Sequence, residues 1–271
     1  MSNLLIRIVS ASIFLPFFIF FLTYNIWSYF FLFYLISSLS IFELLKSFKL
    51  SKKSDFIFTI VSHSLLYVLY FFDLLKIFQI NFLSVFGLTI FFFLSKKIFK
   101  FEKNENILKD LGLIFFSFCY ITIPFFFALD LALFNEIFEY KYVLFTFLVI
   151  WSCDSGAYFF GRKFGKDKMA PLLSPKKSWQ GAFAGVFLSI FFSFFFNYFL
   201  DISESNIKVS FFSFLISISS IFGDLIESMI KRIFDIKDSG KLIPGHGGFL
   251  DRFDSFLFAI VVSNFFIKNF I

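Results

Sequence analysis

Histidine and cysteine are nearly missing from this chain, with two of each in 271 residues. Cys119 and Cys153 both sit in apolar runs and match neither a disulfide framework nor the paired spacing of a metal site. His63 stands alone in an apolar stretch and reads as structural, and His246 has no second histidine or cysteine beside it. A zinc centre is thereby excluded. Charge is scarce as well: 16% of residues are charged, where a soluble domain carries roughly 25%. What fills the gap is apolar. Hydrophobic residues make up 59%, phenylalanine alone accounts for 55 positions, and the mean hydropathy is +0.85. No single water-soluble core can hide that much apolar surface, so the chain reads as an all-α, polytopic integral membrane helical bundle.

Arginine and glycine are sparse in an informative way. Against 21 lysines there are four arginines, and three of them, Arg162, Arg232 and Arg252, fall in two polar stretches. A chain that uses lysine wherever a point charge suffices keeps arginine for planar, bidentate contacts. Of twelve glycines, ten lie between Gly156 and Gly248. Backbone freedom is concentrated where the charge is.

Stretches long enough to span a bilayer are 4–22, 24–45, 56–72, 77–94, 111–134, 142–160, 181–200, 209–226 and 253–271. The N-terminal run lacks a small-residue cleavage site and counts as the first span, giving about nine. The connections after the second, fourth, sixth and eighth spans hold 4, 5, 6 and 5 Lys and Arg, and those after the odd spans hold 0, 1, 1 and 1. Basic residues are retained on the cytoplasmic side. The alternation places the N-terminus in the cytoplasm and reads the net charge of +6 as a topology signal rather than a nucleic-acid surface. Residues 1–140 are N-terminal spanning helices and 141–271 a C-terminal catalytic region, without a linker dividing one folding unit.

Two of the basic connections, 46–55 and 95–110, hold lysines without glycine or proline and read as anchors. The other two carry chemistry. Asp224, Glu227, Ser228 and Lys231 follow i, i+3, i+4, i+7 spacing and share one helix face. A carboxylate stripe beside hydrocarbon is costly unless it is paired, wet or bound to a cation. Asp251 and Asp254, at i and i+3 of the final helix, serve equally well as caps or as hard oxygen ligands of the kind Mg2+ prefers. Between them PGHGG cannot be helical. Gly247 and Gly248 let backbone N–H groups approach an anion, while Lys237 and Arg252 add charge, and His246 either touches phosphate or braces the loop. Upstream, Ser174, Lys176, Lys177 and Ser178 follow a run of bases, with Ser174 and Pro175 marking a turn. GRKFGKD misses the P-loop spacing by one residue. Gly181 and Gly185 fit helix packing better. Asp154 is an acid inside an apolar span and therefore a functional candidate.

From these residues the chain resembles the phosphatidate cytidylyltransferase family, the CDP-diacylglycerol synthases. SMIKRIFDIKDSGKLIPGHGGFLDRFDS is similar to the family signature at Ser228, Lys231, Arg232, Lys237, Asp238, Pro244 to Gly248, Asp251, Arg252 and Asp254. DSGAYFFGRKFGK and SPKKSWQG resemble a second family region, so the likeness covers roughly 150–256, and Ser178 stands where the family usually has threonine. The N-terminal 140 residues match only in being helical and apolar. The resemblance implies transfer of a cytidylyl group from CTP to phosphatidic acid, with Mg2+ and, beside it, room for a monovalent cation such as K+. It implies metal binding by Asp224, Asp251 and Asp254. Lys231 and Arg232 would act at the phosphates with Asp224 and Asp251, and Ser174, Lys176, Lys177, Ser178, Ser228, Lys237, Asp238, His246, Gly247, Gly248, Arg252 and Asp154 would meet substrate. A bacterial inner membrane, an active site facing the cytoplasm and an open choice between monomer and homodimer belong to the same expectation. The rivals are a CTP-dependent transferase for another lipid and a transporter of a phosphorylated solute.

Overall fold

The computed structural model describes residues 3–48, 50, 52–99, 107–240, 242 and 247–271. Among them the helices are α1 (Asn3–Thr23), α2 (Ile26–Phe48), α3 (Lys53–Leu74), α4 (Phe82–Phe99), α5 (Ile107–Ser117), α6 (Ile123–Ala132), α7 (Lys141–Phe164), α8 (Trp179–Leu200), α9 (Asn206–Ile233) and α10 (Leu250–Phe270). A π-helical turn, Phe118–Thr122, joins α5 to α6 in one rod. Pro124 supplies the reason: it has no N–H for the carbonyl four residues back, and a widened turn absorbs the mismatch.

Among the described residues six segments are long and apolar enough to cross a membrane: α2, α3, the Ile107–Ala132 rod, α7, α8 and α9. The expectation of about nine spans is thus met for six. The all-α reading has one exception among the described residues. Between α7 and α8, β1 (Lys168–Ala170) pairs antiparallel with β2 (Ser174–Ser178).

Phenylalanine builds the interior. Phe256 of α10 stacks on Phe147 of α7 at 4.3 Å and on Phe33 of α2 at 5.8 Å, and Phe145 stacks on Phe212 of α9 at 5.4 Å. Offset aromatic pairs of this kind add to the stabilisation from area burial. One core cluster takes residues from both halves of the chain, including Phe18, Tyr29, Phe125, Phe145 and Phe256. The buried Tyr29 hydroxyl donates to the Ala128 carbonyl at 2.6 Å, and Thr146 meets Ser263 at 2.9 Å. These polar atoms in the apolar interior are thus paired.

α8 is different. Its residues Phe183, Phe187, Phe191 and Phe195 are exposed, the surface expected of a helix against lipid. Its inner side is lined by small residues: a Cβ on Gly185 would come within 3.2 Å of Ala157 Cβ on α7. Gly181 and Gly185 therefore serve the close α7–α8 packing expected of them.

Candidate active site

The hairpin after α7 is stapled at its base by Gln180, whose side-chain oxygen accepts from the N–H groups of Lys166 and Asp167 at 3.1 and 3.2 Å. Ser178 ends β2 and caps α8, accepting from the Gly181 N–H at 3.3 Å. Between these two fixtures Lys177 reaches across to α9, where Nζ lies 2.6 Å from Asp224 Oδ2. That ion pair joins the two polar stretches. Asp154 of α7, Lys176, Lys177, Ser178 and Asp224 line a cavity of about 270 Å³ together with Tyr158 and Met169.

On the other side of Asp154 and Asp224 opens a second cavity of about 420 Å³, lined by Lys231, Asp238, Asp251, Arg252 and Asp254. Gly223 makes this approach possible. A Cβ there would lie 2.8 Å from the Asp254 carbonyl oxygen, so only glycine lets α9 pack against the first turns of α10 at this point. Asp224 and Asp254 are thereby brought to one cavity wall. Ser228 donates to Asp224 Oδ1 at 3.4 Å, and Lys231 Nζ bridges Glu227 at 2.7 Å and Asp251 at 2.9 Å.

Asp251 is the most heavily engaged carboxylate. Besides Lys231, it accepts from the Ser239 N–H at 3.1 Å and from the Gly248 N–H at 2.9 Å. It lies outside the apolar span that begins at Phe253. Burial opposes its ionisation, but the bonds from Lys231, Gly248 and Ser239 outweigh burial and hold its carboxyl below the ordinary value. Asp254 is placed otherwise. It accepts from the Ser255 N–H at 2.7 Å. Glu227 Oε1 is buried and meets no donor. A buried carboxylate oxygen without a donor favours a proton or a cation beside it.

That orphaned oxygen bears on Mg2+. Among the described residues no three Asp, Glu, His or Cys side chains stand close enough to enclose an ion. The donor chemistry nevertheless fits: Asp154, Asp224 and Asp254 present hard oxygens to one space, and Mg2+ is commonly held by one or two carboxylates with waters and substrate phosphate.

Of the other residues singled out in the sequence, Lys176, Lys177, Ser178, Asp238 and Arg252 line one cavity or the other. Ser174 at the start of β2, Arg232 and Lys237 line neither; Arg232 donates to the Ile236 carbonyl at 3.2 Å. Gly247 adopts a φ of +89°, and Gly248 uses its N–H on Asp251. His246 lies outside the described residues. Sequence reasoning passed over Glu43 of α2, which reaches the same end of the bundle through Ser239 and Leu250. An acid inside an apolar span was the available signal.

A family model described as the cytidylyltransferase family matches residues 5–270. The phosphatidate cytidylyltransferase of Staphylococcus saprophyticus is 36% identical over 163 residues, covering 60% of this chain and 61% of that protein. That of Staphylococcus epidermidis is 40% identical over 124 residues, 46% of this chain and 48% of its own length. The Bacillus subtilis protein of the same name is 35% identical over 158 residues, 58% of each chain. The matched stretch thus spans about half to three-fifths of these relatives.

Proposed function

This chain belongs to the cytidylyltransferase family, and we propose that it transfers the cytidylyl group of CTP to phosphatidic acid, forming CDP-diacylglycerol and pyrophosphate. The observation that carries this reading is the meeting of two cavities at Asp154 and Asp224, under the Lys177–Asp224 ion pair. A second, phosphorylated substrate needs its own approach to the reacting centre. Tyr158, Met169, Ala157 and Ile221 give the smaller cavity an apolar wall suited to the lipid side. Lys231, Arg252 and the carboxylates give the larger one a polar wall suited to a triphosphate.

In this mechanism a phosphate oxygen of phosphatidic acid attacks the α-phosphorus of CTP. The new P–O bond forms as the bond from the α-phosphorus to the α,β-bridging oxygen breaks, and pyrophosphate departs with that electron pair. The attacking oxygen is already anionic, so no side chain has to remove a proton. Lys177 exchanges Asp224 for substrate phosphate, and Arg252 and Lys231 hold the phosphates in line. Asp224 and Asp254, with Asp154 beside them, are the carboxylates that would hold Mg2+; Asp251 spends its oxygens on the loop. When bound, the metal would neutralise charge on the phosphoryl oxygens. By the lysine alternation the site faces the cytoplasm and the N-terminus lies on the same side. A bacterial inner membrane is the matching location, and a K+ ion beside the Mg2+ and a homodimer remain compatible with it.

Purified full-length protein in detergent, given labelled CTP, phosphatidic acid and Mg2+, is expected to release pyrophosphate and form CDP-diacylglycerol. Folded protein that forms none, or that accepts an isoprenoid phosphate and refuses phosphatidic acid, overturns the assignment.

A further inference from the structure

We propose that Glu43 is a positioning residue for this site, tying the neck of the α9–α10 connection and so setting how Asp251, Arg252 and Asp254 enter the cavity. Glu43 is 2% exposed and sits among Ile41, Phe42, Leu44 and Leu45 of α2. A carboxylate buried there is costly unless donors surround it. Its donors come from the far end of the chain: Oε2 accepts from Ser239 Oγ at 3.2 Å and from the Leu250 N–H at 3.0 Å.

Both partners lie at the neck. Ser239 is gripped from two sides, through its N–H by Asp251 and through its hydroxyl by Glu43. The Leu250 N–H is one of the donors that the first turn of α10 leaves without an intrahelical acceptor. Phe249, the residue before the helix, has no side chain able to cap it. Glu43 therefore acts as an N-cap supplied from another helix, where the helix dipole also favours negative charge. The surrounding backbone is shaped to admit it. A Cβ on Gly240 would collide with Glu43 Oε1, and one on Gly248 with Oε2. Both arms of the neck pass the carboxylate without side chains. Glu43 lines neither cavity, and it acts on the chemistry through Asp251 and the first turn of α10.

The kinetic arm of the test rests on the proposed function, whereas amide exchange does not. In full-length protein, Glu43→Ala is expected to lower kcat on the order of 100-fold, the scale of an ångström's misplacement, with KM for CTP and phosphatidic acid little changed. Hydrogen exchange at peptides covering Ser239 and Leu250 should rise in parallel. Glu43→Gln keeps an acceptor oxygen and should restore most of the turnover and the protection. Wild-type kcat in folded Glu43→Ala, or a loss of kcat with unaltered exchange at the neck, overturns the proposal. If the wild type makes no CDP-diacylglycerol, the functional reading fails and the exchange comparison still decides the role of Glu43. If Glu43→Ala does not fold, Gly240→Ala presses a methyl group onto the same carboxylate: lost turnover with raised exchange supports the proposal, and wild-type behaviour sinks it.

Discussion

Two groups of acids in this bundle follow opposite rules. In the N-terminal half Asp55 lies 2.9 Å from Lys96 and 2.6 Å from Lys97, and Asp110 lies 3.9 Å from Lys97. In the C-terminal half Asp224 pairs with Lys177, Glu227 and Asp251 share Lys231, and Asp154, Asp224, Asp251 and Asp254 border open cavities beside the exposed Arg252. An acid set within a helical bundle is therefore a poor guide to function by itself. Acids matched to lysines hold helices together, whereas a surplus of one sign facing a cavity implies that a counter-charge arrives from outside.

The comparison can be broken most forcefully at Asp55. Replacing it with alanine removes the carboxylate facing two lysines and should cost about 3–5 kcal/mol, read as a lowered unfolding temperature in detergent. Turnover per folded molecule should stay at the wild-type level, and a folded variant without turnover would erase the distinction between the two groups. In the other group, Asp224→Asn and Asp254→Asn should each lower kcat on the order of 10²–10³-fold, the scale seen when one charge-stabilising group is lost. Their unfolding temperatures should barely move. Lys177→Ala comes next: losing a charged hydrogen bond to substrate is worth about 1.5–3 kcal/mol, or roughly 10- to 100-fold in kcat/KM. Smallest is Ser178→Ala, expected to cost about 1 kcal/mol of stability as a lost cap with KM unchanged. A raised KM for either substrate would show that its hydroxyl also meets substrate.

Much of the helical layout was legible in the sequence. The expected spans 142–160, 181–200 and 209–226 correspond to α7 (Lys141–Phe164), α8 (Trp179–Leu200) and α9 (Asn206–Ile233), because twenty apolar residues between charged connections are a strong local signal. The hairpin was not foreseen. Strands of three and five residues are too short to show alternation, and the turn expected at Ser174 and Pro175 lies instead at 171–173, with both residues inside β2. Within the site, the shared face of Asp224, Glu227, Ser228 and Lys231 was readable from spacing, and the bonds of Ser228 to Asp224 and Lys231 to Glu227 express it. Glu43 was missed because its partners stand 196 and 207 residues away. No local pattern reports a contact of that separation.

The sequence by itself determined a membrane-type helical bundle and the two polar stretches in which acids, bases and glycines gather. Composition and periodicity are properties of neighbouring residues, so they survive being read without coordinates. Only the tertiary structure decided which carboxylates hold backbone and which stay open. Asp251 and Glu43 meet N–H and hydroxyl donors of the α9–α10 neck, while Asp154, Asp224 and Asp254, which border the cavities together with Asp251, take none of those donors among the described residues. An aspartate's chemistry depends on which donors packing brings to its oxygens, and those donors arrive here from the hairpin, α2, α9 and the loop before α10.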